Sequence, residues 1–261
     1  VGLRLFEHPL SPYARKVKLL LYEKGIPFER VPIDVLRRGT DREYQEFVLA
    51  SPRLEVPALV DGRTRIHDSR ILADYLEERW PDPPLLPLRP EERARVRMLE
   101  NLCDTRLDAV VWGLMEVVVF RRATGQTAEA LLARSRTALE RIWTSLDREL
   151  EERPFLNGAH FGRGDAAALP HMGGPPALGI PLSGHFERLH AWLARCGERE
   201  SVRREAAEVA EAMGSLAAGG EEAGPIVRTY RDHRLEWMLR CGATDIVLAG
   251  LADGTIRLSE E

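Results

Sequence analysis

The chain has 261 residues, 44% hydrophobic and 30% charged, a composition that supports one large or two ordinary packed units and excludes a disordered chain. A formal net charge of −4 gives no overall attraction to nucleic acid or anionic lipid. The longest apolar window, Ala109 to Phe120, is broken by Glu116 and too short to span a bilayer, and residues 1 to 30 show no signal-peptide pattern, so the expected location is cytoplasmic. Cys103, Cys196 and Cys241 stand far apart with no Cys-x-x-Cys pair, and buried reduced thiols are expected. Lysine occurs only at positions 16, 18 and 24, arginine supplying every other basic side chain, which reads as base-composition bias rather than phosphate recognition.

In chain order, Leu3 to Phe6 reads as a short strand. Ser11 at an N-cap and Pro12 at the first helical position then open a helix over Tyr13–Lys24, with Val17, Leu20 and Leu21 on its apolar stripe and Gly25 as its stop. Phe28 to Ile33 is the next strand and Asp41 to Leu49 a short helix. Glu55 to Val60 reads as a strand with Pro57 near its head, which leaves backbone groups of Val56 outside the ladder. An Asp61-Gly62 hairpin turn leads to a second strand through Ile66, and Asp68-Ser69 begins a helix whose N-terminal N–H groups could hold a carboxylate. Residues 1–80 therefore order as strand, helix, strand, helix, strand, strand, helix.

Five prolines between Pro81 and Pro90 mark a semi-rigid connector over 81–90. Beyond it, Glu91–Arg122 and Thr127–Glu152 carry apolar residues at helical spacing, and further helices are expected over His185–Cys196 and Glu200–Met213, giving an all-α unit over 91–213. The prolines and glycines of 170–184 predict a broken helix. Residues 225–261 form an extension in which Ile226, Tyr230, Trp237 and Met238 suggest a helix and Ile246 to Leu258 a second apolar piece. Trp237, Met238, Ile246 and Leu248 are expected to pack. His233 and Glu236 share a helical face and read as a solvated pair, not a metal site.

The run from Val56-Pro57 to Asp68-Ser69 resembles the second half of the glutathione transferase N-terminal domain, whose pattern has Val-Pro before a strand and Glu-Ser before a helix. Phe155-Leu156-Asn157-Gly158 is similar to the family's Phe-Leu-x-Gly, with Gly162 at the following cap where a hydroxyl residue is usual. The resemblance spans about residues 3 to 213 and implies an α/β thioredoxin-like N-terminal domain, an all-α C-terminal domain, and a cis bond at Val56-Pro57. It also implies glutathione as co-substrate and a homodimer. Val56 and Pro57 would lie against its cysteinyl part, and Asp68 and Ser69 would hold the γ-glutamyl amine and carboxylate. Arg38, or else Arg37 or Arg53, would meet the glycyl carboxylate. Glu55 stands where many relatives carry Lys, Gln or Arg, and Leu54 replaces a frequent glycine.

Ser11 occupies the position from which serine-type relatives, such as the zeta and tau classes, hydrogen-bond the thiolate. Capping the helix through the N–H of Tyr13 or Ala14 is the structural role open to the same hydroxyl, and the two are compatible. No cysteine stands at position 11, which argues against thiol exchange. An electrophilic small molecule would enter between Ser11 and the first long helix, whose less apolar face carries Asp104, Asp108 and Trp112. Three functions remain open: conjugation of glutathione to an electrophile, glutathione-dependent isomerisation of a conjugated acid, or a non-catalytic protein-interaction module using the extension.

Overall fold

The computed structural model describes residues 2–35, 39–218 and 227–258. Arg37, Arg38 and Ile226 lie outside them. Among the described residues no helix is long and apolar enough to cross a membrane.

Strand β1 (Leu3–Glu7) is the second strand of a four-stranded mixed sheet, and Leu5 and Phe6 are wholly buried on its two faces. Helix α1 (Pro12–Glu23) follows, with Ser11 as its N-cap, and it ends at Gly25, whose φ of +63° suits a residue without a Cβ. Strand β2 (Phe28–Pro32) returns parallel to β1, as a helical crossover requires. Helix α2 (Arg42–Ala50), capped by Asp41, leads to β3 (Ala58–Asp61) and β4 (Thr64–His67), which complete the strand order β2-β1-β3-β4. Helix α3 (Ser69–Arg79) then packs on α1.

The β3–β4 turn differs from the expected Asp61-Gly62 pair by one residue. Asp61 still pairs with Thr64, so the two-residue loop is Gly62-Arg63, with Gly62 at φ +60°. Asp61 is kept in the strand, where its Oδ2 accepts from the Tyr75 hydroxyl at 2.7 Å.

The first long helical pattern is not one continuous helix. Helix α4 (Pro90–Asn101) gives way to a π-helical turn over Leu102–Leu107 before α5 (Asp108–Val118). The wider turn carries Asp104 inward, and Asp104 and Asp108 are both buried. Helices α6 (Gly125–Glu149), α7 (Arg163–Met172), the single turn α8 (Gly174–Ala177), α9 (Glu187–Gly197) and α10 (Glu200–Ala218) complete this all-helical part. Between Met172 and α9 the chain breaks as its prolines and glycines predict. Helix α7 begins at Gly162 without a capping hydroxyl. Asp165 replaces it by accepting from Gly162 N, Leu156 N and Asn157 N, and from Trp192 Nε1 at 2.7 Å.

Of the residues that suggest a helix in the extension, Trp237 and Met238 lie on one, whereas Tyr230 precedes it in a strand. Arg228–Tyr230 forms strand β5, Asp232–Arg240 helix α11, Thr244–Ala252 helix α12, and Ile256–Leu258 strand β6, parallel to β5. Tyr230, Met238, Ile246 and Val247 build a core of their own with Leu131 of α6, and Trp237 packs against it. Contrary to expectation, Leu248 faces outward.

The three lysines are all buried, and each bridges elements far apart in sequence. Lys16 Nζ donates to Glu100 Oε1 at 2.9 Å and to Asp104 Oδ2 at 2.6 Å, joining α1 to the helical part. Arg163 continues the seam, donating from Nε to Glu100 Oε2 at 2.8 Å and pairing with Asp74 of α3. Lys18 lies between Glu7 and Glu208, and Lys24 donates to the carbonyls of Trp80 and Pro83 while pairing with Glu77. Each lysine supplies a compact ammonium on a flexible four-carbon stem. Removing the lysine strands an acid: Lys16→Met leaves Asp104 buried without its ammonium, while Glu100 keeps only Arg163, and is expected to cost about 3–5 kcal/mol in urea unfolding. A loss under about 1 kcal/mol would show that the seam does not hold the two parts together.

Candidate active site

The sheet brings the candidate residues to one end by register alone. Phe6 pairs with Ala58, and Ala58 with His67. The chain leaving β1 toward Ser11, the chain entering β3 through Val56-Pro57, and the chain leaving β4 into Asp68-Ser69 therefore share one edge of the sheet. The Val56–Pro57 bond is cis, as the resemblance implies. Val56 sits outside the ladder, and its backbone N–H and C=O have no hydrogen-bond partner among the described residues.

Ser11 Oγ accepts from the N–H of Ala14 at 3.4 Å, one of the two capping partners expected for it. The hydroxyl keeps its O–H for another acceptor. Asp68 caps α3 by accepting from Arg70 N at 2.9 Å, with its backbone at φ +73°. A left-handed aspartate of this kind costs on the order of 1–3 kcal/mol and is characteristic of ligand-holding turns. Ser69 is buried behind it. Beside Asp68 opens a cleft of about 760 Å³, also lined by Arg53, His67, Arg70 and Arg97. A second cleft of about 690 Å³ lies near the C-terminal end of α1 at Tyr22 and Glu23, and none of the candidate residues lines it.

In the first turn of α1, Tyr13 donates its hydroxyl to the Asp104 carbonyl at 2.7 Å, and burial pushes its pKa far above the ordinary phenol value. It stays neutral and is no base. The polar face of α5 is closed rather than open to a second substrate. Arg234 of α11 grips Asp108 with Nε at 2.7 Å and Nη2 at 3.0 Å, and its guanidinium stacks 3.8 Å over Trp112. His233 reaches the same carboxylate at 3.0 Å, so it is not a solvated partner of Glu236, which pairs instead with Arg240. Gly113 lets α11 approach, since a Cβ there would run into the Trp237 indole. One turn further, Glu116 is buried against Arg228 and the Tyr230 hydroxyl.

The extension also touches the first unit. Arg257 donates to the carbonyls of Arg53 and Leu54 at 3.1 and 3.3 Å, where Leu54 holds a left-handed φ of +54° that glycine adopts more readily. Arg231 lies 3.9 Å from Glu55 and 3.8 Å from Asp68. Arg231, Arg234 and Arg257 were not signalled by sequence: no local pattern ties a charge near the C-terminus to a loop some 170 residues earlier. Among the described residues no group of three or more His, Cys, Asp or Glu side chains could hold a metal ion.

A mixed sheet carrying α1 and α3, joined by a buried ionic seam to a helical bundle, defines a thioredoxin-like domain with an all-α partner. A family profile for the glutathione S-transferase N-terminal domain matches residues 5–84. Maleylacetoacetate isomerase of Mus musculus is 33% identical over 180 residues, covering 69% of this chain and 81% of that protein. A stringent starvation protein A homolog of Coxiella burnetii is 26% identical over 205 residues, covering 78% and 91%. Among solved structures, a glutathione S-transferase from Methylobacterium radiotolerans in complex with glutathione sulfonate superposes with a TM-score of 0.65 at 31% identity, covering 78% of this chain and 94% of that one. The chain belongs to the glutathione transferase family.

Burial opposes ionisation of Asp108, but Arg234 and His233 outweigh it and hold the carboxyl well below its usual 3.8. A depressed acid stabilises the fold above its unfolded pKa and loses that contribution as pH falls through the folded value. The stability due to this latch is therefore present above about pH 5 and drains away below about pH 4. Asp108→Asn is expected to lower stability at pH 7 and to flatten the decline below pH 4 in denaturant titrations. An unchanged acid limb would remove Asp108 as the latch.

Proposed function

We propose that the protein is a glutathione transferase in which Ser11 ionises the thiol for attack on an electrophilic carbon. The observation that carries the reading is the convergence of the α1 N-terminus with Ser11, the unpaired Val56 backbone and the Asp68-capped α3 N-terminus at one sheet edge. A thiol of pKa about 8.5 is only a few per cent ionised at pH 7, and lowering it by two units takes about 2.7 kcal/mol. A hydrogen bond to the charged sulfur supplies about 1.5–3 kcal/mol and the helix terminus about 0.3–1, so the hydroxyl is the larger contributor.

In this reading Val56 pairs its backbone with the cysteinyl unit beside Pro57, Asp68 takes the γ-glutamyl ammonium, and Ser69 with the α3 N–H groups takes its carboxylate. The glycyl carboxylate is assigned to Arg38. The thiolate then forms a carbon–sulfur bond as the leaving group departs with its electron pair. Isomerisation is the second reading, favoured by the 33% identity to maleylacetoacetate isomerase. In it the thiolate adds to a conjugated acid, allows rotation about the former double bond, and leaves unchanged.

Conjugation to 1-chloro-2,4-dinitrobenzene and retention on immobilised glutathione test the reading. Ser11→Ala is expected to keep retention while lowering kcat/KM by about 10–100-fold, matching the loss of one charge-assisted hydrogen bond, and to raise the pKa of the bound thiol. Full activity in that variant would remove Ser11 from the chemistry.

We also assign the protein to the cytoplasm as a homodimer. Ile71, which lines the Asp68 cleft, and Met98, next to Arg97, are exposed apolar side chains that a second copy would cover. Sedimentation is expected to report a dimer that Met98→Asp weakens. A monomer at micromolar concentration would contradict the assignment.

A further inference from the structure

The loop that delivers Val56 to the sheet edge is a tight turn built on one buried serine. Ser51 lies wholly buried at the end of α2. Its carbonyl accepts from Leu54 N at 2.9 Å, its hydroxyl oxygen accepts from Glu55 N at 3.1 Å, and its O–H donates to the Glu55 carbonyl at 2.8 Å. In this turn Leu54 takes a φ of +54°, a left-handed conformation that a residue with a bulky side chain resists. Its side chain packs against the core of Phe6, Val31 and Phe47, so apolar packing and backbone strain meet in one residue.

The carbonyls of Arg53 and Leu54 accept from no backbone N–H among the described residues. Arg257 of β6 takes both, from Nη1 at 3.1 Å and from Nη2 at 3.3 Å, and Nη2 also donates to Thr229 Oγ1 of β5 at 3.0 Å. Strand β5 is itself fixed to α5, since Arg228 pairs with the buried Glu116 and the Tyr230 hydroxyl donates to the same carboxylate. A chain of contacts therefore runs from α5 through two short strands to the turn immediately before Val56. A guanidinium suits this place, because its fork meets two successive carbonyls and a charged donor makes the stronger hydrogen bond.

We propose that Arg257 is a positioning residue: from the extension it clasps the strained Leu54 turn and so holds the Val56 backbone where it meets the ligand. The inference rests on the glutathione reading above for the identity of that ligand. It gives residues 227–258 a function in the site, exerted through the loop.

Calorimetric titration of the full chain with glutathione, together with hydrogen exchange of its amides, tests this. Arg257→Ala is expected to weaken glutathione binding about tenfold and to speed exchange at Leu54 and Glu55 by about tenfold or more, while Leu59 of β3 exchanges as in the wild type. Leu54→Gly or Leu54→Asn, introduced into Arg257→Ala, should bring the affinity back to within about threefold of the wild type, since both residues accept a positive φ. Leu54→Ala also loses the packing but keeps the strain, and should not recover it. Glutathione and its monoethyl ester should lose affinity equally. A role confined to pinning the extension would leave the glycine and alanine backgrounds alike. If Arg257→Ala binds glutathione as tightly as the wild type, or if glycine and asparagine recover no more than alanine, this inference falls and the glutathione reading stands. A loss that shrinks for the ester would make Arg257 a counter-charge to the ligand, with the same consequence. If the wild type binds no glutathione, that reading falls and exchange decides the clasp: faster exchange of Leu54 and Glu55 in Arg257→Ala upholds it, and unchanged exchange ends it.

Discussion

The contact on which the rest of the architecture depends is the ammonium of Lys16 lying between Glu100 and Asp104. Burial works against the charges of Lys16 and Asp104, but their attraction is stronger: Lys16 is held above its usual pKa and Asp104 below. All three charges thus stay in place only while α1 and the π-helical turn remain in register. Because α1 begins at Ser11, fixing α1 against the helical part also fixes where a thiol held at that terminus would face. Arg163 extends the same seam to Asp74 on the helix that starts beside Asp68. The two helix N-termini of the candidate site are therefore tied to one ionic network behind them.

The π-helical turn is the second consequence of that network. By widening the helix it carries Asp104 toward Lys16, and it hands Asp108 and Glu116 to the face of α5 on which the extension docks. Each of these acids is met by an arginine, Arg234 for Asp108 and Arg228 for Glu116. Burial still pushes the Glu116 carboxyl above its ordinary range, despite Arg228 and Tyr230. The division of labour between cations is physical. The lysines thread into tight gaps around α1, while the arginines of the extension offer planar forks that match a carboxylate and cover an aromatic face. The extension thereby rests on α5 on one side and on the loop before Glu55 on the other.

Elements defined by local chemistry were legible. Ser11-Pro12, Asp41 and Asp68 each mark a helix start that depends on one side chain meeting an N–H two or three residues on, and each was placed within a residue. Where two local signals competed, tertiary contact decided between them. Asp61 reads as a turn residue, but Tyr75 gives it a partner in the strand. The pattern over Glu91–Arg122 reads as one helix, since a π-helical turn leaves the apolar spacing almost intact and is required only by the buried lysine opposite. In the extension, β5 and β6 are three residues each and exist only by pairing with each other, which no window on either alone could reveal.

The amino-acid sequence by itself determined the two-part organisation, the strand and helix order of the first unit, and the caps and turns that meet at one end of its sheet. Those depend on caps, turns and spacing that act within a few residues. Only the tertiary structure decided which charges are buried, that all three lysines are internal, and that the extension reaches the first unit with Arg231 beside Glu55 and Asp68. Electrostatic pairing acts through space and is indifferent to sequence separation, so a cation at one end of the chain and an acid near the other carry no shared local signature until the fold brings them together.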